Sequence, residues 1–483
     1  MVNAAILKNT LLYTLGNLLP QVLGLALLPL FTKYLSPNDY GVANYLTVVS
    51  IILTQLSLLG LNGYLLRFAV SKQDHEKLIA ETAVFTVLVG VMLHGIALVI
   101  APLVIEKFEI KIHFWPFWPL AILISFFDIL STYPLIKYRV EEKGKEFLFF
   151  SAMKLFTKYI FSIFAIMIFN WGIVGKLYAD LLATFVFFAI SAHVLKISDG
   201  MKLQSLKPAR ALTFSFPFFI SGLFYLLTDT VDRFFIERYV GLSDLGYFSI
   251  ASAFSAAYSG FVISMYRSIE PSVYRSYDSS SFHMVIEQSK LYFFPMVAFA
   301  GVSAALFSAE ILSLMADKSF SSAVPLMPML ILSAAFQSFS VFYGMIPVAH
   351  KRSSVVLFQN SAVLLIVVFA NSVLIPKFGV NGAVYSKCCA SILGSLFSLF
   401  YAKHIDKSIG YNRDLAMASI GIGIAIATGL LLDHCNDKSF AYSITAKATL
   451  LLLCTLILLK IFKGSDGKTA LSTITAHLKG VLK

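Results

Sequence analysis

A short motif that occurs twice constrains the fold of this chain more than any other feature. Its two copies share a basic residue, a tyrosine and an aliphatic residue, followed by Asp and Gly: Lys33-Tyr34-Leu35, Asp39, Gly41 and, 205 positions later, Arg238-Tyr239-Val240, Asp244, Gly246. A second match has an offset of 207: Gly172, Gly175, Tyr178 and Gly379, Gly382, Tyr385. Two matches in the same order at nearly one offset indicate a duplicated half. Duplicated halves of several helices are typical of transporters, whose sites lie between the halves.

The composition predicts that these halves lie in a membrane. Apolar residues make up 58% of the 483 residues, charged residues 13%, and the mean hydropathy is +0.80. The charged share is about half of that in soluble domains. Fourteen windows have the length and apolar character of one membrane helix: 10–32, 43–66, 79–104, 116–137, 147–169, 171–196, 212–237, 246–268, 288–315, 324–348, 354–376, 380–402, 414–432 and 441–462. The predicted fold class is an all-α membrane protein with about 14 transmembrane helices.

The distribution of Lys and Arg between the connecting segments predicts the orientation. With the N-terminus inside, the inner segments hold 25 of these residues and the outer segments hold seven. Because cytoplasmic segments carry the excess of positive charge, both termini are predicted to be cytoplasmic. This bias accounts for most of the net charge of +12, so no nucleic-acid partner is needed to explain it.

The repeat also predicts the domain organisation. Each half has six spans, an even number, so the halves should be related by an axis along the membrane normal. The predicted segments are an N-lobe (1–197, spans 1 to 6), a cytoplasmic inter-lobe linker (198–210), a C-lobe (211–403, spans 7 to 12), spans 13 and 14 (404–463) and a basic cytoplasmic tail (464–483). The last two segments lie outside the repeat.

No residue pattern indicates a catalytic or metal site. The cysteines Cys388, Cys389, Cys435 and Cys454 lack the spacing of metal ligands. His94 stands alone in span 3 and is predicted to be a buried, hydrogen-bonded residue. We therefore expect no enzyme activity and no cofactor, and coupling to a proton or a sodium ion stays open.

The candidate site residues are the ionisable side chains inside the predicted spans, because such groups are costly in hydrocarbon and usually face a cavity or a partner. The cations are Lys154, Lys158, Lys176, Arg233, Lys387 and Lys447, and the acids are Asp128, Asp180, Asp229 and Asp232. Arg67 and Arg267 close spans 2 and 8, where they are either cavity cations or headgroup anchors.

Span 5 carries the most informative cations. Lys154 and Lys158 lie one helical turn apart, and Ser151 and Ser162 extend the same face. Such a face is unsuited to lipid, so we expect it to line a cavity. The alternative is that the amines snorkel to the cytoplasmic headgroups, which is easier for Lys154 than for Lys158, deeper in the span.

Two i,i+4 pairs stand in the neighbouring spans. Asp229 and Arg233 are spaced as an intrahelical ion pair, and Asp232 adjoins them. We hypothesise that Asp229 pairs with Arg233, which leaves Asp232 to bind a coupling cation or proton. Lys176 and Asp180 repeat the spacing in span 6.

The repeat offset also places Asp180 opposite Lys387, so a bridge between the predicted lobes is a second option for this carboxylate.

Three segments carry a resemblance to a known family: TLGNLLPQVLGLALLPLFTKYLSPNDYGVANYL, GLNGYLLRFAV and LLTDTVDRFFIERYVGLSDLGYFSIASAFS. With them the chain resembles the flippases of lipid-linked oligosaccharide repeat units (the O-antigen type), the polysaccharide-biosynthesis branch of the multidrug/oligosaccharidyl-lipid/polysaccharide (MOP) exporter superfamily. The resemblance covers spans 1 to 12, and two further spans at the end are also usual. It implies a V-shaped, MATE-like pair of pseudo-symmetric six-helix lobes that works by alternating access.

The resemblance also implies a substrate. This would be an undecaprenyl-diphosphate-linked oligosaccharide, moved from the inner to the outer leaflet of the bacterial inner membrane for O-antigen or capsule biosynthesis. The implied partners are membrane lipids and the polymerase and chain-length proteins of the same pathway. Span 1 has only Asn17 and Gln21 as polar candidates where some relatives have arginines. Span 5 is therefore the stronger candidate for binding the phosphates.

The predicted substrate-binding cations are thus Lys158, Lys154, Arg233, Arg67, Arg267, Lys387 and Lys176, and the coupling-ion candidates are Asp232, Asp229, Asp180 and Asp128. The alternative within the superfamily is a cation-coupled multidrug exporter, which would need acidic rather than basic cavity residues. A non-transporting scaffold and a membrane-bound polymerase are further alternatives. A polymerase usually carries a large periplasmic loop, whereas no predicted outer segment exceeds about 15 residues.

Overall fold

The computed structural model describes residues 4–69, 74–197, 206–277, 281–350, 352, 354–407, 447 and 449, and this part contains helices and turns but no strand. Its helices are α1 (Ala4–Ala26), α2 (Leu28–Tyr34), α3 (Pro37–Leu58), α4 (Leu61–Phe68), α5 (His75–Phe108), α6 (Phe117–Val140), α7 (Gly144–Ile163, continued by a π-helical turn, Phe164–Ile168), α8 (Gly172–Val194), α9 (Pro208–Thr230), α10 (Asp232–Tyr239), α11 (Leu242–Ser276), α12 (Phe282–Leu306), α13 (Ser308–Met315), α14 (Met327–Ala349, preceded by a 3₁₀ segment, Lys318–Leu326), α15 (Ser354–Phe378) and α16 (Val380–Ile405).

These helices confirm an all-α membrane fold. In the described part, 11 helices are long and apolar enough to cross a membrane, or 12 if the bent pair of α1 and α2 is one span. They coincide with the first 12 predicted spans. Predicted spans 13 and 14 and the tail 464–483 lie outside the described residues, apart from positions 447 and 449, so the total of 14 stays a prediction.

The duplication predicted from the sequence recurs in the helix pattern. A bend of 43° separates α1 from α2. In the second copy, α9 ends at Thr230 and α10 begins at Asp232, so the two helices divide at the corresponding place, although Pro208–Tyr239 counts as a single span. The next helix begins at Pro37 in the first copy and at Leu242 in the second, again 205 positions apart.

The aspartate that both motif copies carry has a local structural reason in the first copy, at Asp39. The Asp39 backbone N–H donates to the Ser36 hydroxyl at 3.2 Å, and the Ser36 backbone N–H donates to the Asp39 carboxylate at 3.1 Å. This reciprocal capping box satisfies two donors that the start of α3 would otherwise leave without partners. Pro37 at the first helical position adds a preset backbone angle.

Contacts divide the chain into two compact units. The first comprises Met1–Ile250, Met315–Phe320 and Asn360–Ser386, and the second comprises Ala251–Leu314, Ser321–Gln359 and Lys387–Lys483. The second unit has an aromatic core that includes Phe293, Phe342 and Tyr343. The predicted lobes, with the linker 198–210 between them, remain predictions.

Within the first unit, the glycines of the two motif copies allow two helices to make a close contact. A Cβ at Gly41 would overlap the carbonyl oxygen of Leu242, and a Cβ at Gly246 would overlap that of Pro37. The N-terminal turns of α3 and α11 therefore approach backbone to backbone, which no larger residue permits. This reciprocal contact explains why both copies carry glycine five residues into the new helix.

Candidate functional site

Helix α7 presents two chemically different faces. Its exposed apolar side chains are Phe149, Met153, Phe156, Ile160 and Phe164, spaced three or four residues apart as on one helical face. The other face carries Lys154 and Lys158, with Ser151 and Ser162 buried on either side of them. The apolar face suits lipid, and the polar face is turned toward α6 and α8.

Five ionisable residues of α6, α7 and α8 form what we term the lysine–aspartate network: Asp128, Lys154, Lys158, Lys176 and Asp180. All five were predicted as site residues, and they lie within the first compact unit. Helix α7 connects the network, because its Lys154 contacts α6 and its Lys158 contacts α8.

The α6 end of the network is held by short contacts. The Lys154 amine lies 2.6 Å from the Asp128 carboxylate and also donates to the Ser131 hydroxyl at 2.6 Å. The Ser131 hydroxyl donates in turn to the Asp128 carboxylate at 3.0 Å. Lys154 is therefore fixed by two partners on one face of α6.

The α8 end of the network centres on Asp180. Its carboxylate accepts a hydrogen bond from Lys176 at 2.8 Å, lies 3.3 Å from the Lys158 amine and accepts a longer bond from Ser162 at 3.4 Å. The contact with Lys176 confirms the i,i+4 pair predicted from the sequence. Because Asp180 receives donors from two helices, it ties α7 to α8.

Burial differs along the network in a way that matters for binding. The Asp180 side chain is 5% exposed, whereas the Lys158 side chain is 34% exposed. Lys158 is thus the more accessible partner in this ion pair and also the more distant of the two lysines around Asp180. With three lysines and two aspartates, the network has one formal positive charge in excess. It is suited to an anion that approaches Lys158.

The ion pairs bear on two predictions for α7. Snorkelling requires the amines of Lys154 and Lys158 to extend away from the bundle, but both amines lie against carboxylates of neighbouring helices. These contacts argue against snorkelling, and the cavity along this face stays a prediction. Asp180 has Lys158 and Lys176 as its ion-pair partners, which accounts for this carboxylate without the predicted bridge to Lys387.

Arg233 belongs to a second, more deeply buried cluster. Its Nε donates to the side-chain oxygen of Asn44 on α3 at 3.0 Å, and one Nη donates to the Asp232 carboxylate at 2.9 Å. The same Nη donates to the backbone carbonyl oxygen of Asp229. The Arg233 side chain is 10% exposed and that of Asp232 is fully buried.

The predicted ion pair between Asp229 and Arg233 is therefore wrong. The carboxylate that pairs with Arg233 belongs to Asp232, and Asp229 contributes its backbone carbonyl. The i,i+4 spacing does bring the Arg233 guanidinium onto the last turn of α9, but there it bonds the backbone carbonyl oxygen of Asp229. The carboxylate of the adjacent Asp232 forms the ion pair instead.

The other predicted cations lie elsewhere. Arg67 lies in the last turn of α4 and Arg267 lies on α11, both with exposed side chains, and Lys387 is half-buried on α16. Lys447 pairs with Glu310 at 2.6 Å within the second unit, so a structural ion pair accounts for this intramembrane lysine.

The prediction for His94 is confirmed. It is buried, with one ring nitrogen 2.9 Å from the Gly90 carbonyl oxygen and the other 2.8 Å from the Ser125 hydroxyl. In the part of the chain that the structure describes, no group of His, Cys, Asp and Glu is arranged to hold a metal ion.

Two uncharged residues of these clusters are absent from the predicted site. Ser131 holds Lys154, and its signal in the sequence is the i,i+3 spacing from Asp128 on α6. Asn44 holds Arg233 and lies three residues after Gly41 in the first motif copy. A search restricted to ionisable residues passes over both.

An apolar groove is formed by side chains of α6, of α8 and of the turn before α8. Its volume is about 540 Å³, and it is lined by Phe127, Trp171, Tyr178, Leu181, Leu182 and Phe185. Four of these side chains, Trp171, Tyr178, Leu182 and Phe185, are 47 to 57% exposed. The groove offers hydrocarbon contacts and no charge, as expected of a surface that faces lipid.

Comparison with protein families identifies the group to which this chain belongs. Residues 6–276 match the model of a family described as "Polysaccharide biosynthesis protein". This match includes both copies of the first motif, the lysine–aspartate network and Arg233. No curated protein matches the chain.

Solved structures show the same fold at low sequence identity. The lipid II flippase MurJ in an inward closed conformation is 15% identical, with a TM-score of 0.75 over 94% of this chain and 98% of that chain. An inward-facing multidrug resistance MATE family transporter of the MOP superfamily is 15% identical, with a TM-score of 0.58 over 82% of this chain and 96% of that one.

A MOP superfamily transporter from Pyrococcus furiosus is 14% identical, with a TM-score of 0.58 over 83% of this chain and 95% of that chain. At these identities the likeness concerns the fold, and the family match concerns more than half of the sequence. The chain belongs to the polysaccharide biosynthesis protein family and has the fold that MurJ shares with the MATE transporters.

Proposed function

We propose that this protein is a flippase that moves undecaprenyl-diphosphate-linked oligosaccharide repeat units from the inner to the outer leaflet of the bacterial inner membrane by alternating access. The product would serve O-antigen or capsule biosynthesis and pass to the polymerase and chain-length proteins of that pathway. The observation that supports the proposal is the lysine–aspartate network, whose lysines outnumber its aspartates, in a chain of the polysaccharide biosynthesis family.

The headgroup of such a substrate explains why the network is needed. A diphosphate with sugars cannot cross a hydrocarbon layer about 30 Å thick unassisted, because its charges and hydroxyls would lose their water. Lysine amines within the helix bundle replace part of that hydration. Lys158 is the amine best placed to do so, since it is the most exposed partner of Asp180.

The multidrug-exporter alternative fits the network less well. A cationic drug would approach three lysines and only two aspartates, both already paired. Like charges repel strongly where water is scarce. The fold alone is compatible with either substrate class, so the sign of the excess charge favours the anionic lipid.

The direction of transport depends on the orientation that the Lys and Arg distribution predicts. Cysteines introduced singly at Pro37 or Asp317 should react with an impermeant thiol reagent added from the periplasmic side, and one at Ser205 should not. The native cysteines, replaced in the parent protein, provide the background control. The opposite labelling pattern would contradict both the orientation and the direction of transport.

The substrate is tested most directly in two steps. Deletion of the gene should cause an undecaprenyl-diphosphate-linked oligosaccharide to accumulate in the inner leaflet. Purified protein in vesicles should then move that same lipid to the opposite leaflet, where an impermeant reagent can modify its sugars. Transport of organic cations with no movement of the lipid would contradict the proposal and support the multidrug alternative.

A further inference from the structure

The two carboxylates of the network already hold the lysines that a phosphate would bind. Each of the three lysine amines lies within 3.3 Å of Asp128 or Asp180. An entering phosphate therefore meets no bare ammonium group in this network and has to draw a lysine away from a carboxylate. The carboxylates and the phosphate compete for the same cations.

We propose that Asp128 and Asp180 are built-in counterions that weaken headgroup binding and displace the headgroup during release. This inference rests on the proposed function, because it assigns a role to acids that face the proposed phosphate site. It makes the two aspartates positioning residues for the lysines rather than binding sites for a coupling ion.

The contacts indicate which lysine moves first. Lys158 is 3.3 Å from Asp180 and has that carboxylate as its ion-pair partner, whereas Lys154 has a 2.6 Å contact with Asp128 and another with Ser131. Lys158 also has the more exposed side chain. Its transfer to a phosphate oxygen therefore breaks the weakest contact of the network.

Asp180 keeps hydrogen-bond donors after that transfer. When Lys158 leaves, Asp180 keeps the 2.8 Å bond from Lys176 and the bond from Ser162, so the buried carboxylate retains two donors. A buried charge that loses all partners would be strongly destabilising. Because two lysines contact Asp180, Lys158 can bind the substrate while Lys176 stays paired with the carboxylate.

The charge balance explains release. Before binding, the three lysines and two aspartates carry a formal excess of one positive charge. A diphosphate diester adds two negative charges, so the occupied site has a negative excess and the aspartates repel the headgroup. Without the aspartates, the phosphate would face three lysines and would leave slowly. The carboxylates therefore favour turnover over affinity.

The sharpest test is Asp128→Asn, which keeps the size of the side chain and an acceptor for Ser131 while removing the charge. With purified full-length protein, undecaprenyl diphosphate should bind roughly tenfold more tightly, the effect of a difference of 1.4 kcal/mol. In vesicles, the rate of lipid movement at saturating substrate should fall. Asp128→Glu, which restores the charge, should return both values toward those of the wild type.

The controls separate this role from a structural one. Glu106→Gln removes an exposed carboxylate of α5 away from the network and should change neither value. Soluble inorganic pyrophosphate serves as a second probe, and its binding should tighten in parallel if the headgroup rather than the lipid tail is affected. The thermal unfolding of each variant shows whether the fold is intact.

Two outcomes would overturn the inference. One is unchanged or weaker binding of undecaprenyl diphosphate by folded Asp128→Asn, with Lys158→Ala weakening it as proposed. The other is loss of folding in both Asp128→Asn and Asp180→Asn, which would assign the carboxylates a structural role. If wild-type protein binds neither probe, or Lys158→Ala binds both as well as wild type does, it is the proposed function of the network that fails.

Discussion

The lysine–aspartate network and the Arg233 cluster both place cations at membrane depth, but they differ in accessibility. The Lys158 side chain is 34% exposed and shares its carboxylate with a second lysine, whereas the Arg233 side chain is 10% exposed and bonds a fully buried aspartate. In the proposed mechanism Lys158 therefore exchanges partners, whereas Arg233 keeps its own. The first region is suited to binding, and the second to holding α10 against α3.

The position of Arg233 supports this structural role. Asn44, its partner on α3, lies one turn beyond Gly41, where the N-terminal turns of α3 and α11 meet backbone to backbone. The Arg233 guanidinium also lies 5.9 Å from the ring of Phe248 on α11. The arginine therefore joins the two motif copies at their closest approach. A cation at membrane depth is a candidate binding residue only if its contacts leave it accessible.

The largest predicted effect concerns the Arg233 ion pair. Arg233→Gln or Asp232→Asn alone leaves a buried charge without its partner and should lower the free energy of unfolding by about 3–5 kcal/mol. The double variant Asp232→Asn/Arg233→Gln should be milder than either single variant, because it removes both charges together. Thermal unfolding of the purified proteins measures the difference.

The same experiment tests the comparison between the regions. If Asp232→Asn unfolds like wild type but abolishes transport, Asp232 acts in transport and not in stability, and the structural account of the Arg233 cluster is wrong. The double variant Asp229→Asn/Arg233→Gln is the matched control, since the carboxylate in the ion pair with Arg233 belongs to Asp232. It should be no milder than Arg233→Gln alone.

A smaller effect is expected at the helix crossing. Gly41→Ala places a Cβ against the carbonyl oxygen of Leu242, a backbone atom that cannot rotate away. Overpacking of this kind costs about 1–3 kcal/mol. Gly95→Ala is the control, because a Cβ at Gly95 on α5 has open space around it. There, alanine should be neutral or stabilising, so equal unfolding temperatures for the two variants would contradict the close crossing.

The smallest effect is expected at the start of α3. Ser36→Ala removes the hydroxyl that caps the Asp39 backbone N–H and should lower the free energy of unfolding by about 1 kcal/mol. Ser372→Ala on α15, where an exposed serine donates only to a carbonyl of its own helix, is a matched control. A loss as large as that of Gly41→Ala would mean that Ser36 contributes more than its capping bond.

The sequence predicts the helices well because their signals are local or periodic. The 12 described spans follow from apolar windows, and the duplication follows from two short motifs at nearly one offset. The pair of Lys176 with Asp180 is also predicted, since both residues lie on the continuous helix α8.

The contacts between helices are less predictable. Nothing in the spacing of Lys154 and Lys158 shows that one pairs with Asp128 on α6 and the other with Asp180 on α8, because helix packing brings these residues together. The pairing of Arg233 is mispredicted because the i,i+4 rule considers side chains alone, whereas the guanidinium bonds the backbone carbonyl of Asp229 and the carboxylate of the adjacent Asp232. Which of two nearby carboxylates forms an ion pair depends on the packing around them, and residue spacing does not encode that packing.

The most direct test of the central claim is export by Lys158 variants at matched protein levels. Lys158→Arg keeps a cation near Asp180 and should retain much of the export, whereas Lys158→Ala should lose it. Lys107→Ala, which removes an exposed lysine from the last turn of α5, should export normally. Normal export by Lys158→Ala would contradict the claim that the lysine–aspartate network holds the diphosphate.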